Sequence, residues 1–274
     1  MNTIKSLICA ALAVAAACAV AAPANAAQLH CGSTITKSTT LTQDITNCPG
    51  VGLRIDADDI TLDLNGHTVS AAAKRNPKAH GILNEGNDGV TIRGGIVRGF
   101  GAYGVRLSHA DRNLVRDMKM VDNFTGIGLF ESDRGLVTGN EMSGSKFVGA
   151  NLTGGKLNRV VQNVIQDGNG PAVFVHGSPD EPGKGHRVLD NRIQGGGIEI
   201  LPGPQRTRVV RNEVREALGD GILTFEPTTV LALNVATANF LHGISAPNGA
   251  IDRGGNRASG NSVAPECVGI SCSA

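Results

Sequence analysis

Gly149-Ala150-Asn151-Leu152, then Arg159-Val160-Val161-Gln162-Asn163-Val164-Ile165, then Asp167-Gly168-Asn169-Gly170 is the stretch whose reading decides the fold. Alternation in the opening tetrad turns Ala150 and Leu152 to one side and Asn151 to the other, the pattern of a strand with one buried face. The closing Asp-Gly and Asn-Gly steps mark a turn. Similar tetrads open at Gly52, Gly81, Gly104, Gly126, Gly149, Ala172, Gly197, Gly221 and Gly243, at spacings of 29, 23, 22, 23, 23, 25, 24 and 22 residues. A period of this length, built from short apolar strands between turn residues, belongs to a solenoid in which each unit buries its apolar face against its neighbours. The alternation places Val105/Leu107, Ile127/Leu129, Val173/Val175, Ile198/Ile200 and Ile222/Thr224 inside. A leucine-rich repeat would need a leucine run and a helical segment in every unit, and neither is present.

The longer run after each tetrad carries an Asn at one fixed place: Asn140, Asn163, Asn191, Asn212 and Asn234. Stacked coils bring these amides over one another, where they can bond in an internal ladder at a tight bend. Met118 holds that place one coil earlier and predicts the ladder's end. Four residues before the Asn stand Arg159, Arg187 and Arg208, and Arg257 repeats the pattern before Asn261.

On these repeats, together with Val51-Gly52-Leu53-Arg54-Ile55 and Ile60-Thr61-Leu62-Asp63-Leu64-Asn65-Gly66-His67-Thr68-Val69, the chain resembles the right-handed parallel β-helix repeat family of the pectate-lyase-like group over roughly residues 50 to 265. The resemblance implies an all-β, right-handed, single-stranded parallel β-helix of about nine to ten coils. It is weak evidence for any reaction, because such folds host lyases, hydrolases, epimerases and non-catalytic proteins.

Residues 1–26 read as an export signal, with Lys5, an apolar run from Leu7 to Ala22 and a small-residue site at Ala24-Asn25-Ala26. A lipid anchor at Cys18 is the alternative, disfavoured by Ala15. The rest divides into an N-terminal cap over 27–50, coils over 51–249 and a last coil with its cap over 250–274. Of six cysteines, Cys31, Cys48, Cys267 and Cys272 survive cleavage, an even number that suits disulfides in a secreted chain. Stacked coils separate the two ends by roughly 50 Å, far beyond disulfide reach. The expected pairs are therefore Cys31–Cys48 and Cys267–Cys272, each pinning a solenoid end that would otherwise expose strand edges. The spacings of 17 and 5, without flanking His, do not suit zinc.

A formal charge of +1 argues against a nucleic-acid partner, and the absence of Trp against a carbohydrate-binding module built on a flat aromatic platform. No later segment is long and apolar enough to span a bilayer, and the oligomeric state stays open. The outward tetrad positions form a stripe: Arg54/Asp56, Arg106/Ser108, Gly128/Phe130, Asn151/Thr153, Phe174/His176, Glu199/Leu201 and Leu223/Phe225. Long grooves on such a face suit extended polymers; the bland reading is a solvated sheet with scattered Phe. Arg159, Arg187 and Arg208, about 5 Å apart, repel one another unless an acidic polymer or neighbours such as Asp167, Asp190 and Glu213 intervene.

An insertion, Gly177 to His186, holds Lys184 and follows His176. The candidate catalytic residues are His176, Glu199 and Arg187, arranged for proton abstraction beside a uronate carboxylate. Arg159, Arg208, Lys184 and Phe174 are the candidate substrate contacts, and a Pro/Gly-rich surface turn is the bland alternative. Asp56, Asp58 and Asp59 read as turn acids, with calcium as the other option. The sequons at Asn123 and Asn151 matter only in a glycosylating host. The reading is a secreted protein that binds or acts on extracellular or cell-surface polysaccharide, as a lyase or epimerase of acidic glycans or, from another class, as a non-catalytic structural or adhesive surface protein.

Overall fold

The computed structural model describes residues 28–74 and 76–273, so the export signal expected over 1–26 lies outside the described residues. The chain is an all-β parallel helix of about ten turns. Its strands form three parallel sheets of 11, 10 and 10 strands, and each turn contributes one strand to each sheet. No helix among the described residues is long and apolar enough to cross a membrane.

The tetrads build the first sheet. Val105 lies opposite Ile127, and Ile127 opposite Ala150, so residues alike in sequence stack in columns. Inside run Val105, Ile127, Val173, Ile198 and Ile222 from the first sheet, Val137, Val160, Val188 and Val209 from the second, and Met120, Met142, Ile165 and Val214 from the third, all buried. Each such side chain contributes roughly 1.5–3 kcal/mol on leaving water. The tetrad glycine is required by the neighbouring coil: a Cβ on Gly81 would lie 2.5 Å from the carbonyl oxygen of Gly104 and 2.2 Å from Val97 Cγ1.

The run after the tetrad, read as one strand, is two strands. Arg159–Val161 belongs to the second sheet and Val164–Gln166 to the third, with a corner at Gln162-Asn163. Gln162 has φ 56°, a left-handed conformation that costs a non-glycine residue energy. Asn163 holds this corner. Its Oδ1 accepts from the backbone N–H and the amide of Asn140, both at 3.0 Å, and its Nδ2 donates to Val137 O at 3.0 Å. The ladder runs through Asn140, Asn163, Asn191, Asn212 and Asn234 as expected, and Asn256 adds a rung beyond the five read from sequence. At the other end the Met118 N–H donates to Asn140 Oδ1 at 3.1 Å, and the ladder stops there.

The last coil corrects one expectation. Arg257 pairs with Val235 in the third sheet, one residue after the rung Asn256, and so does not extend the second-sheet arginine stripe. Asn261 belongs to a separate ladder at the corner leading back to the first sheet, where it accepts from the Asn239 amide at 2.8 Å. Both expected disulfides are present, Cys31–Cys48 with Cα atoms 5.3 Å apart and Cys267–Cys272 at 6.1 Å. Cys267–Val268 is the final strand of the first sheet, so the second disulfide ties down its edge.

Candidate functional site

The outward stripe of the first sheet is present, although Ser108, Asn151 and Thr153 within it are buried. Arg106, Gly128, Asn151, Phe174, Glu199 and Leu223 follow one another in register, and Ser108, Phe130, Thr153 and His176 form a parallel column two residues along. Phe174, His176 and Glu199 therefore share one face. The rings of Phe174 and His176 are 4.8 Å apart. His176 Nδ1 faces the carbonyl oxygen of Gly177 at 2.9 Å, which can only accept, so Nδ1 carries a proton. Its Nε2 meets the Thr153 hydroxyl at 3.0 Å. Both ring nitrogens are thus engaged by the protein.

Glu199 borders a cleft of about 240 Å³ floored by Gly195, Gly196 and Gly197 and walled by Pro171, Leu218 and Leu241. Burial among these groups raises the Glu199 pKa, and the negative charge of Asp220 adds to the effect. Asp220 accepts the His242 backbone N–H at 2.9 Å.

Arg187 is not brought to His176 and Glu199. It stands in the second sheet between Arg159 and Arg208, all three in register and exposed. None of the three forms an ion pair among the described residues; of the expected acids, Asp190 binds Arg211 through two bonds of 2.6 and 2.8 Å, and Glu213 lies 3.8 Å from Arg192. Lys184 sits at the corner between the two sheets, its backbone bridged to Lys156 and Gln205 and its side chain exposed. The 177–186 insertion is pinned down, with the Glu181 carboxylate accepting from Gly155 N–H and Lys156 Nζ, both at 3.1 Å. His186 closes the insertion inside the corner, its ring buried beside the Gly154 backbone, and that burial lowers its pKa to about 4.

One cluster on the same first-sheet face escaped the sequence reading. His80 stacks on Tyr103 with centroids 5.7 Å apart, and Tyr103 meets the edge of Phe130 at 5.3 Å. The Arg106 guanidinium lies 5.0 Å over the Phe130 ring. The Tyr103 ring covers Gly128, where an added Cβ would come within 2.7 Å of it. Asn151, one strand further, interacts with the Tyr103 hydroxyl. Burial, then the Arg106 charge, brings the His80 pKa down to about 4, while burial raises that of Tyr103. Three buried polar atoms here have no partner: His80 Nδ1, Arg106 Nε and Asn151 Oδ1.

Asp58, read as a turn acid with calcium as the alternative, caps the next coil by accepting the Asp88 N–H at 2.8 Å. Asp88 and Asp111 repeat this toward Asp111 and Asp133 at 2.7 and 2.8 Å, so the corner acids form a backbone-capping ladder. Asn123 and Asn151 of the two sequons are both buried.

A family described as NosD, periplasmic copper-binding protein, matches residues 31–216. No curated protein matches the chain in sequence. Among solved structures, two crystal structures of the periplasmic alginate epimerase AlgG align with it at 15% identity. One has a TM-score of 0.60 and covers 74% of this chain and 57% of its own; the other has 0.54 and covers 82% and 69%. A thermostable α-1,3-glucanase catalytic unit from Streptomyces thermodiastaticus aligns at 14% identity and TM-score 0.50, covering 89% and 64%. At such identities the likeness is one of fold. The chain spans little more than half the length of the first of these structures.

The copper in the family's description can be tested against the donors present. Copper takes thiolate, thioether and imidazole ligands. All four described cysteines are in disulfides. Met118, Met120 and Met142 are buried in the core, with the Met120 and Met142 sulfurs packed beneath Gly104 and Gly126. Among the described residues no three of His, Cys, Asp and Glu come together as a metal-binding group. These donors do not fit a copper centre.

Proposed function

The chain belongs to the NosD family and is extracytoplasmic, and from the geometry of its first sheet we propose that it binds an extended polysaccharide along that outer face. The observation that carries this is the in-register row from Arg54 to Leu223, set with half-buried rings at Tyr103, Phe130 and Phe174 beside polar groups that lack protein partners. Aromatic faces take the apolar side of a sugar ring, and orphaned polar atoms take its hydroxyls. The fold-level neighbours include an alginate epimerase and an α-1,3-glucanase, which supports glycan as the class of ligand.

In this reading Phe174 seats a sugar, and Glu199, held protonated longer than an ordinary carboxylate, supplies a proton donor beside it. His176 faces the same sugar. Arg159, Arg187 and Arg208, with Lys184 at the corner, attract the acidic groups of a polymer from the neighbouring face. A lyase or epimerase would need a free base, and the double engagement of His176 favours the second reading, a non-catalytic binder at the cell surface. The test is calorimetric titration of the mature protein with neutral glucans and uronate polymers, alongside absorbance of the unsaturated product of a lyase. Binding that falls about tenfold or more in Phe174→Ala supports the proposal; no binding to any of these polymers at low salt overturns it.

A further inference from the structure

We propose that His80, Tyr103, Arg106, Phe130 and Asn151 form a subsite for the carboxylate of a uronic-acid residue, with Arg106 as its cationic partner. The inference rests on the glycan-binding reading of the same face and names the sugar class that face selects.

Arg106 is a half-buried cation with no acid partner among the described residues. Glu85, the acid on the preceding strand, is claimed by Arg54 at 2.9 Å. The Phe130 ring under Arg106 fixes the guanidinium but satisfies none of its N–H groups, and Nε–H is buried with no acceptor. A buried donor left unmatched is costly, and for a guanidinium the matching group is a carboxylate that takes two parallel bonds. A neutral hydroxyl would satisfy one donor and leave the charge uncompensated.

The neighbours fit the rest of a uronate. Asn151 is 4% exposed and its Oδ1 has no donor, so it can accept a sugar hydroxyl. The Tyr103 phenol stays protonated well above neutral pH and can donate. His80 is neutral at pH 7, so it adds no second positive charge and leaves the positive charge with Arg106. Gly128 keeps the strand between Arg106 and Asn151 free of any side chain, so the Tyr103 ring can come in over it.

The experiment titrates the full-length mature protein with polymannuronate, polyguluronate, polygalacturonate and hyaluronate, each beside its carboxyl-reduced neutral form, at pH 7 and low salt. At least one uronate is expected to bind about ten- to a hundredfold more tightly than its reduced form, the range of one charge-assisted pair. Arg106→Gln should remove that preference, so that the uronate and its reduced form bind alike. Asn151→Asp, which offers Arg106 a carboxylate of the protein's own, should remove it too, and it carries the test if Arg106→Gln fails to fold by circular dichroism. Folded variants that keep the preference overturn the proposal. So does a wild-type protein that binds neutral and acidic forms alike, an outcome that leaves the glycan reading standing. Failure to bind any polysaccharide removes both.

Discussion

Replacing Asn163 with Leu tests whether the corner ladder is a structural requirement or a by-product of stacking. The substitution removes the acceptor used by the Asn140 N–H, which is then buried without a partner. It also removes a donor to Val137 O, but that carbonyl keeps the Val161 N–H of the parallel ladder between their strands. The Asn140 amide keeps its bond to Val115 O, and Asn191 Oδ1 keeps the Asn163 backbone N–H, so the damage stops at one unpartnered group. At about 1–3 kcal/mol for a buried unsatisfied group, the loss is roughly 1–3 kcal/mol. Leucine offsets part of this by burial only if it fits, and the corner is packed for an amide. For a chain of this size the loss lowers the thermal midpoint by roughly 2–12 °C. Solenoids unfold by neighbouring repeats, so hydrogen exchange at the Asn140 amide is the sharper assay, and its protection should fall first. An unchanged midpoint with unchanged Asn140 protection would refute the reasoning, since a buried backbone N–H without an acceptor would then have cost nothing.

Reducing Cys31–Cys48 opens a loop of 17 residues and should cost about 3 kcal/mol, read as reductant-dependent exchange confined to the first coils. Acid should destabilise the fold through His186: its folded pKa is about 4 against an ordinary 6.5, so the unfolded chain takes up a proton that the folded one refuses. The stability is complete above about pH 6.5 and is lost as pH falls through that window, by about 3 kcal/mol at pH 4, and His186→Asn should flatten this part of the thermal midpoint's pH dependence. Arg187→Thr relieves repulsion from Arg159 and Arg208 and should raise the midpoint at low ionic strength, with the gain fading near 1 M salt, where the screening length is about 3 Å. The same variant should bind a polyanion more weakly.

The fold was readable because its constraint recurs. A small residue, glycine in every tetrad but the one at Ala172, where the next coil's carbonyl leaves little room for a side chain, followed by alternating apolar residues, appears at nearly constant spacing and can be counted. The corner inside the longer run was not readable. The left-handed residue before the rung is glycine only at Gly139 and Gly255, and at the four corners between it is Gln162, Asp190, Arg211 or Leu233, so most of the bends carry no glycine or asparagine to announce them. The rung that follows holds the corner together, and a local sequence pattern does not show a bond made 21 to 28 residues away. Arg257 was misplaced for a related reason. Asparagines also line the corner back to the first sheet, at Asn123, Asn239 and Asn261, so an Asn alone does not say which corner it turns.

The Tyr103 cluster was hidden by a change of parity. Period-two alternation from Val105, Leu107 and Arg106 would send Gly104 outward and Tyr103 into the core. The structure does the reverse at that step: a Cβ on Gly104 would point at the Met120 sulfur 3.1 Å away, Val105 is also inside, and Tyr103 lies out over Gly128. Two successive inward positions are tolerated because the first is glycine or, at Ala172, alanine. The residue before the tetrad glycine is thereby released onto the outer face, beside the residue two after it. Where that preceding residue is His80 or Tyr103, and the following one is Arg106, chemistry collects that an alternation count assigns to opposite sides. The three strands that surround the cluster, Tyr103–Ser108, Thr125–Phe130 and Val148–Thr153, each run to six residues, longer than any other first-sheet strand. Their extra length comes from including the residue before the glycine in the sheet. The same backbone step that brings Tyr103 outward thus also makes the sheet broadest where the unpartnered groups lie, which is the place a bound polymer would find the most surface.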